Sequence, residues 1–294
     1  MNKRTFLLTI TVFIVLFLIM DRTVASILEK GLKTYYGLDD ESELALVGHS
    51  HLMLGVDKVA LEKQLGINVS KYTREGVNVS DRLVMIEQLL NTNPKIKTVI
   101  YGVDAWTFTG EGLSANSYKL FYPFFDDPNI DDYIKQHGSF SDYSSKKYIK
   151  TSRYNEQLIA GAMRGYLGKW DNLKYGTVDI TKLKTQIQEE SFRKVNNDQQ
   201  NIEIFYKTLS LLKSKGIKVI LLHVPTVDLL ETYQQESFNE TMAIFENVVD
   251  EDVAFLDLQE PWSSKYELFY DPIHLNPKGQ EVITGALIDY LKTH

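Results

Sequence analysis

The sequence predicts an α/β protein of three layers, with a central parallel sheet of about five strands between helices. An N-terminal transmembrane helix precedes this body, and an inserted helical cap interrupts it. Three observations carry the prediction. Short, fully apolar runs alternate with amphipathic helical segments, the pattern of right-handed βαβ units. An uncharged run, Thr5 to Met20, follows a basic start. The alternation then pauses between about residues 105 and 196, too long a stretch for an ordinary connection.

Taken in order, "MNKR" and the apolar run "TFLLTITVFIVLFLIM" form the first element. As a helix the run is about 24 Å long, slightly short of a hydrocarbon core of roughly 30 Å. Lys3 and Arg4 at one end and Arg22 at the other can snorkel, so residues 1–22 read as a single-pass anchor. The alternative is a signal peptide cleaved after Ala25; either way the positive-inside bias sends the body outside the cell. Residues 23–43 read as a stalk or linker, helical to Tyr36 and broken by "YGLDDESE".

The folded body is residues 44–294. "LALVG" reads as a buried strand, "DKVALEKQLG" as a helix capped by Asp57 and closed at Gly66, and "INVSKYTREG" as a strand. "SDRLVMIEQLLNTNP" is an amphipathic helix with Ser80 as its expected cap, and "IKTVIYGV" is the next strand. The insert at about 105–196 is crowded with aromatic residues and punctuated by Pro and Gly, a cap of short helices and loops whose rings form its own core or rest on sugar or lipid. The alternation resumes with a helix ending at Gly216, the strand "IKVILLHVP", the helix "ESFNETMAIFENVV" and the strand "VAFLDLQ". "PKGQEVITGALIDYLKTH" closes the chain as a helix capped by Asn276 with Pro277 at its first position. Five such strands imply an open, flavodoxin-like sheet, which binds ligands at the carboxyl ends of its strands. Ser50, Gly76, Asp104 and His223 all fall at such ends, His223 as a structural histidine.

Composition narrows the chemistry. A net charge of −7 without a basic stripe argues against a nucleic-acid partner. With no cysteine, the chain has no disulfide, thiolate metal site or cysteine nucleophile, and no cofactor is expected.

Two strings carry chemistry. In "GHSHLMLG", residues 48–55, either His49 and His51 hold a metal ion or Ser50 is a nucleophile. The remaining histidines lack metal-site spacing, which leaves a metal-dependent hydrolase using His49 and His51 as the minor reading. In "DPIHLNPKG", residues 271–279, Asp271 and His274 stand three apart just before a helix and can face the sheet edge together. A serine hydroxyl needs a base within hydrogen-bond reach and a third group that orients the base.

The second string closely resembles the last block of the SGNH (GDSL-like) hydrolases, Asp-x-x-His followed by a C-terminal helix, and Gly48-His49-Ser50 resembles their first block with His49 in the Asp place. The resemblance covers residue 44 to the C-terminus, without the cap. It implies Ser50 as nucleophile, His274 as base and Asp271 as its support, with an oxyanion hole built from the Ser50 N–H, Gly76 and a third-block asparagine. Here the chain departs: "IYGVDAWTF" offers Gly102 and Asp104 but no asparagine. A carboxylate facing a developing oxyanion would raise the barrier. Asp104 is therefore expected to bond backbone N–H groups or bind substrate, and Asn78 or His51 to supply the missing donor; His49 and His51 otherwise line the site or hold substrate. Ser50 as a mere helix cap is the bland alternative.

Serine followed by histidine, the missing asparagine and the N-terminal span resemble a membrane-anchored subset of the superfamily. It is similar to the D-alanyl transfer protein of teichoic acid synthesis and to polysaccharide O-acetyltransferases. That likeness implies an extracytoplasmic esterase or O-acyltransferase in the cell membrane, with an envelope glycan, an acyl donor and a multi-spanning membrane O-acyltransferase as partners. A non-catalytic SGNH-fold subunit that binds a glycan or such an acyltransferase is the alternative.

Overall fold

The computed structural model describes residues 2–39, 41–110, 116–170 and 172–294, so residue 40 of the stalk and residues 111–115 and 171 of the insert lie outside the described residues. Five strands, β1 (Leu44–Gly48), β2 (Val69–Thr73), β3 (Thr98–Val103), β4 (Lys218–His223) and β5 (Val253–Asp257), form one sheet in the order β2-β1-β3-β4-β5. Every pairing is parallel, as the alternation of strands and helices predicted. β1, β3 and β4 are buried runs rich in Leu, Val and Ile because helices cover both faces of such a sheet.

The connections run through α2 (Ser50–Gly55) and α3 (Lys58–Leu65), α4 (Val79–Thr92), α9 (Gln199–Ser214), and α10 (Leu229–Tyr233) with α11 (Gln235–Asn247); α12 (Pro277–Thr293) ends the chain. The path turns back from β2 across β1 to β3, so right-handed crossovers put α4 and α9 on one face, opposite α3 and α12. Under α9 and α11 the rings of Phe108, Phe205 and Phe245 meet at centroid distances of 5.3–5.8 Å.

Asp57 caps α3 as expected, accepting from the N–H groups of Val59 and Ala60, and Asn276 caps α12, accepting from those of Lys278 and Gly279. Ser80 does not cap α4. Asn78 does, in a reciprocal box: its side chain accepts from the Asp81 N–H, and Asp81 accepts from the Asn78 N–H. An Asn with an acid three residues on satisfies two orphan donors where Ser80 would satisfy one. A two-stranded antiparallel ribbon, β6 (Phe269–Asp271) and β7 (His274–Leu275), was not foreseen, because three- and two-residue strands carry no periodicity.

The chain folds as two units, residues 36–117 with 170–294, and residues 1–35 with 118–169. The first holds the sheet. In the second, α1 runs unbroken over Lys3–Tyr36 and joins a 3-10 turn at Ser117–Phe124, α5 (Pro128–His137), α6 (Phe140–Tyr148) and α7 (Glu156–Leu167). The N-terminal apolar run and the following segment as far as Tyr36 are thus one continuous helix, and the part of the insert from residue 170, which includes α8 (Ile180–Gln188), groups with the sheet.

Candidate active site

Ser50 is the first residue of α2, two positions beyond the end of β1, where the sheet changes direction between β1 and β3. Glycine makes the placement possible. A Cβ on Gly102 would lie 2.9 Å from Cβ of Leu52, which excludes a larger residue there as α2 is placed, and one on Gly48 would lie 3.3 Å from Cα of Gly102, a tight fit that glycine avoids. Lys71, buried in β2, fastens the far end of α2 by donating to the carbonyls of Met53 at 2.8 Å and Val56 at 2.5 Å. Burial pulls the Lys71 ammonium down to about 8.

The ribbon β6–β7 brings the other end of the chain to this point. His274 Nε2 lies 2.8 Å from Ser50 Oγ, and His274 Nδ1 lies 2.8 Å from Oδ2 of Asp271. Oδ1 of Asp271 accepts from the backbone N–H groups of Ile273 (3.0 Å) and His274 (2.9 Å), which fixes the carboxylate and the ring in one turn. Burial works against the Asp271 charge, but the bond to His274, its electrostatic pull and the two N–H groups together hold its carboxyl below the ordinary carboxylate value. A carboxylate accepts only, so Nδ1 carries hydrogen and Nε2 is left as acceptor for the Ser50 hydroxyl. Ser50 and His274 are both partly exposed, so the pair is open to a reactant.

Behind this trio lies a second, fully buried cluster. Oδ2 of Asp104 meets Nε2 of His49 at 2.5 Å and lies 3.1 Å from Nδ1 of His51, while Oδ1 accepts from the Trp106 N–H at 2.9 Å and from the Thr107 hydroxyl at 3.3 Å. Burial holds both imidazoles low, His51 especially, and so neutral. Against its own burial, Asp104 is held well below the ordinary value by the two histidines and its hydrogen bonds. His51 also packs edge-on against His274, with ring centroids 5.3 Å apart, and so braces the base.

Donor atoms of His49, His51 and Asp104 all lie within 4.8 Å of one another, as a metal site would require. However, two donors on a tetrahedral zinc stand roughly 3.3 Å apart, given bonds of about 2 Å. The 2.5 Å between His49 and Asp104 is a hydrogen bond, so in this arrangement the three residues fit a polar network rather than an ion.

The remaining expectations divide. Asp104 does bond a backbone N–H, that of Trp106. Gly76 has φ +75°, a turn conformation suited to glycine, just past the end of β2, whose Thr73 pairs with Gly48. The side-chain oxygen of Asn78 is spent on capping α4, which ties that residue to the helix start. His223, fully buried at the end of β4, bonds Asp257 through Nδ1 at 2.9 Å, as a structural histidine would.

Arg193 escaped sequence reasoning. It lies in the connection between α8 and α9, its guanidinium 4.3 Å from the centre of the Trp106 ring, and its Nε is buried without a hydrogen-bond partner among the described residues. Its charge bears on Asp104, Asp271, His49 and His51. Burial lowers its pKa. One Arg inside "SFRKVNN" has no pattern that marks it, and only the fold reveals its surroundings.

No family model and no curated protein matches the chain. Among solved structures it is similar to a GDSL-like lipase from Bacteroides thetaiotaomicron, at 10% identity over 86% of this chain and 89% of that one, with a TM-score of 0.43. It is also similar to a lipase from a goat rumen metagenome, at 10% identity over 83% and 94%, TM-score 0.43. A third is an acetyl xylan esterase from the rumen bacterium Butyrivibrio proteoclasticus, at 13% identity over 85% and 63%, TM-score 0.38. In the chain's own geometry, the serine after β1 and the His–Asp pair before the last helix come together at one end of the five-stranded sheet.

Proposed function

We propose that this chain is a membrane-anchored SGNH-type serine esterase or O-acyltransferase, working outside the cell on an envelope polysaccharide or teichoic-acid-type glycan through an acyl-Ser50 intermediate. The observation that carries the reading is the relay from Asp271 through His274 to Ser50, with two contacts of 2.8 Å. Ser50 Oγ attacks the acyl carbonyl as its proton passes to His274 Nε2. The protonated ring returns that proton to the leaving alkoxide as the carbonyl re-forms, leaving an ester on Ser50. Water then releases the acid, or a sugar hydroxyl takes the acyl group, and in either case His274 removes the incoming proton. Asp271 stays ionised throughout and steadies the imidazolium.

For the oxyanion, the Ser50 N–H at the start of α2 and the N–H at Gly76 are the expected donors. The Arg193 cation, whose charge bears on Asp104 and Asp271, is the proposed group to offset the developing charge. The membrane side of the proposal rests on α1, which has an 18-residue window of mean hydropathy 2.2 and is long enough to cross a bilayer.

The test uses the full-length chain in detergent with p-nitrophenyl acetate, and then with an O-acetylated glycan. Ser50→Ala and His274→Ala should each lower turnover by about 10³-fold or more. Full turnover in either variant rejects the proposal. If the wild type turns over no ester while Ser50→Ala retains its cellular role, the binding-only subunit stands instead.

A further inference from the structure

The apolar run Thr5–Met20 is about 24 Å long as a helix, some 6 Å short of a hydrocarbon core of roughly 30 Å. Beyond Met20, α1 presents two unlike sides. On one, Asp21 and Ala25 are buried by the insert. The Asp21 carboxylate accepts from the N–H of Lys150 (2.9 Å), the N–H of Thr151 (2.8 Å) and the Thr151 hydroxyl (2.6 Å), and the Tyr154 hydroxyl donates to the Ala25 carbonyl at 2.9 Å. On the other side, Met20, Val24 and Ile27 follow the i, i+4, i+7 spacing of a single face and stay exposed, Ile27 by 53%. From Thr5 to Ile27 that face is about 33 Å long, enough to span.

The insert is locked to α1 at this height. The Tyr166 hydroxyl donates to the Ile27 carbonyl at 2.7 Å. α7 crosses α1 with backbones touching, since a Cβ on Gly165 would lie 2.0 Å from the Gly31 carbonyl oxygen. The residues so placed carry exposed apolar side chains: Met163 and Leu167 one turn apart on α7, and Tyr148 beside Lys150, with Leu167 exposed by 62% and Tyr148 by 73%. Arg22, half-exposed at the same level and paired with Asp21 at 3.4 Å, has further guanidinium donors for lipid phosphates.

We infer that this part of the insert, residues 148–167, is an interfacial element seated in the outer leaflet of the membrane, with Tyr148, Met163 and Leu167 against lipid. It completes on one side the apolar length that the run from Thr5 to Met20 lacks. The occupant of the apolar face is thus lipid, identified by continuity with the spanning helix and by the height at which Asp21, Ala25 and Ile27 hold the insert. Tyrosine suits that layer, with its ring in the acyl boundary and its hydroxyl in water. The inference rests on α1 spanning the membrane.

Because the chain has no cysteine, single-cysteine labelling is clean. Phe13→Cys, Tyr148→Cys and Leu167→Cys, all at exposed positions, are each labelled with bimane in the full chain and reconstituted into phosphatidylcholine–phosphatidylglycerol vesicles. Emission is compared with and without lipids that carry a nitroxide at the headgroup, high on the acyl chain or near its end, the last of these reaching the probe at 13. Probes at 148 and 167 should lose most of their emission to the nitroxide lipids, as should the probe at 13. Unquenched probes at 148 and 167 beside a quenched probe at 13 overturn the inference and leave the span intact; because no other protein is present, that result points to a protein partner for the face. An unquenched probe at 13 overturns the span and the inference together.

Discussion

Oγ of Ser50 stands 2.8 Å from Nε2 of His274, although 224 positions separate the two residues in the chain. Two features of the fold close that distance: the close fit of α2 over Gly48 and Gly102, and the short ribbon that turns His274 back toward the sheet edge. Neither contact is local, so the site forms only when the sheet and its last helix are in place.

In the proposed relay, Asp271 acts through the ring it orients. Asp271→Asn keeps an oxygen for the N–H groups of Ile273 and His274 but loses the charge that fixes the tautomer. Turnover of p-nitrophenyl acetate should fall on the order of 10²-fold to 10⁴-fold while the melting temperature changes little. A turnover near wild type would remove Asp271 from the relay.

Asp104 is structural support rather than an oxyanion donor. Asp104→Asn places an amide where His49, His51, Trp106 and Thr107 meet a carboxylate, and an amide cannot accept from all of them. The variant should lose about 1–3 kcal/mol in denaturant unfolding, the cost of unsatisfied buried donors. A rise in turnover in this variant would instead put residue 104 in the oxyanion hole.

Arg193 should matter for rate more than for stability. The loss of one charge-assisted hydrogen bond to the transition state, about 1.5–3 kcal/mol, corresponds to a fall of roughly 10- to 100-fold in kcat/KM for Arg193→Gln. Arg193→Lys should recover part of it. Equal ester hydrolysis by wild type and both variants would confine Arg193 to packing on Trp106.

Lys71 makes a pH signature. Its folded-state value of about 8 lies below the unfolded value near 10.4, so between these the unfolded chain binds more protons and the group adds stability as pH rises. The stabilisation is lost as pH falls through that window, at up to ~1.4 kcal/mol per pH unit. Unfolding free energies of wild type and Lys71→Met, measured from pH 8 to 10, should therefore differ in slope. Parallel curves would mean that Lys71 keeps its ordinary pKa despite its burial.

Much of the sheet was legible because β1, β3 and β4 are apolar runs and the helices between them show a 3.6-residue period with recognisable caps such as Asp57 and Asn276. That Ser50 should meet His274 and Asp271 was implied by the resemblance of their two strings to the first and last SGNH blocks, not by the alternating pattern itself. What escaped was set by tertiary contact. Asn78 took the cap expected of Ser80 because Asp81 could reciprocate. The convergence of His49, His51 and Asp104 joins two strand ends, and Arg193 reaches the cluster from a segment without periodicity. The helix through Tyr36 was legible, but its close packing on the insert at Gly31 and Gly165 was not, because no local pattern reveals their partners.

Intact-mass spectrometry of the full-length chain after brief exposure to a fluorophosphonate tests the central claim most directly. One adduct should form, map to Ser50 by peptide sequencing, and vanish in Ser50→Ala and in His274→Ala. A well-folded wild type that stays unlabelled, or that labels equally in the absence of the His274 imidazole, would contradict a serine activated by that histidine.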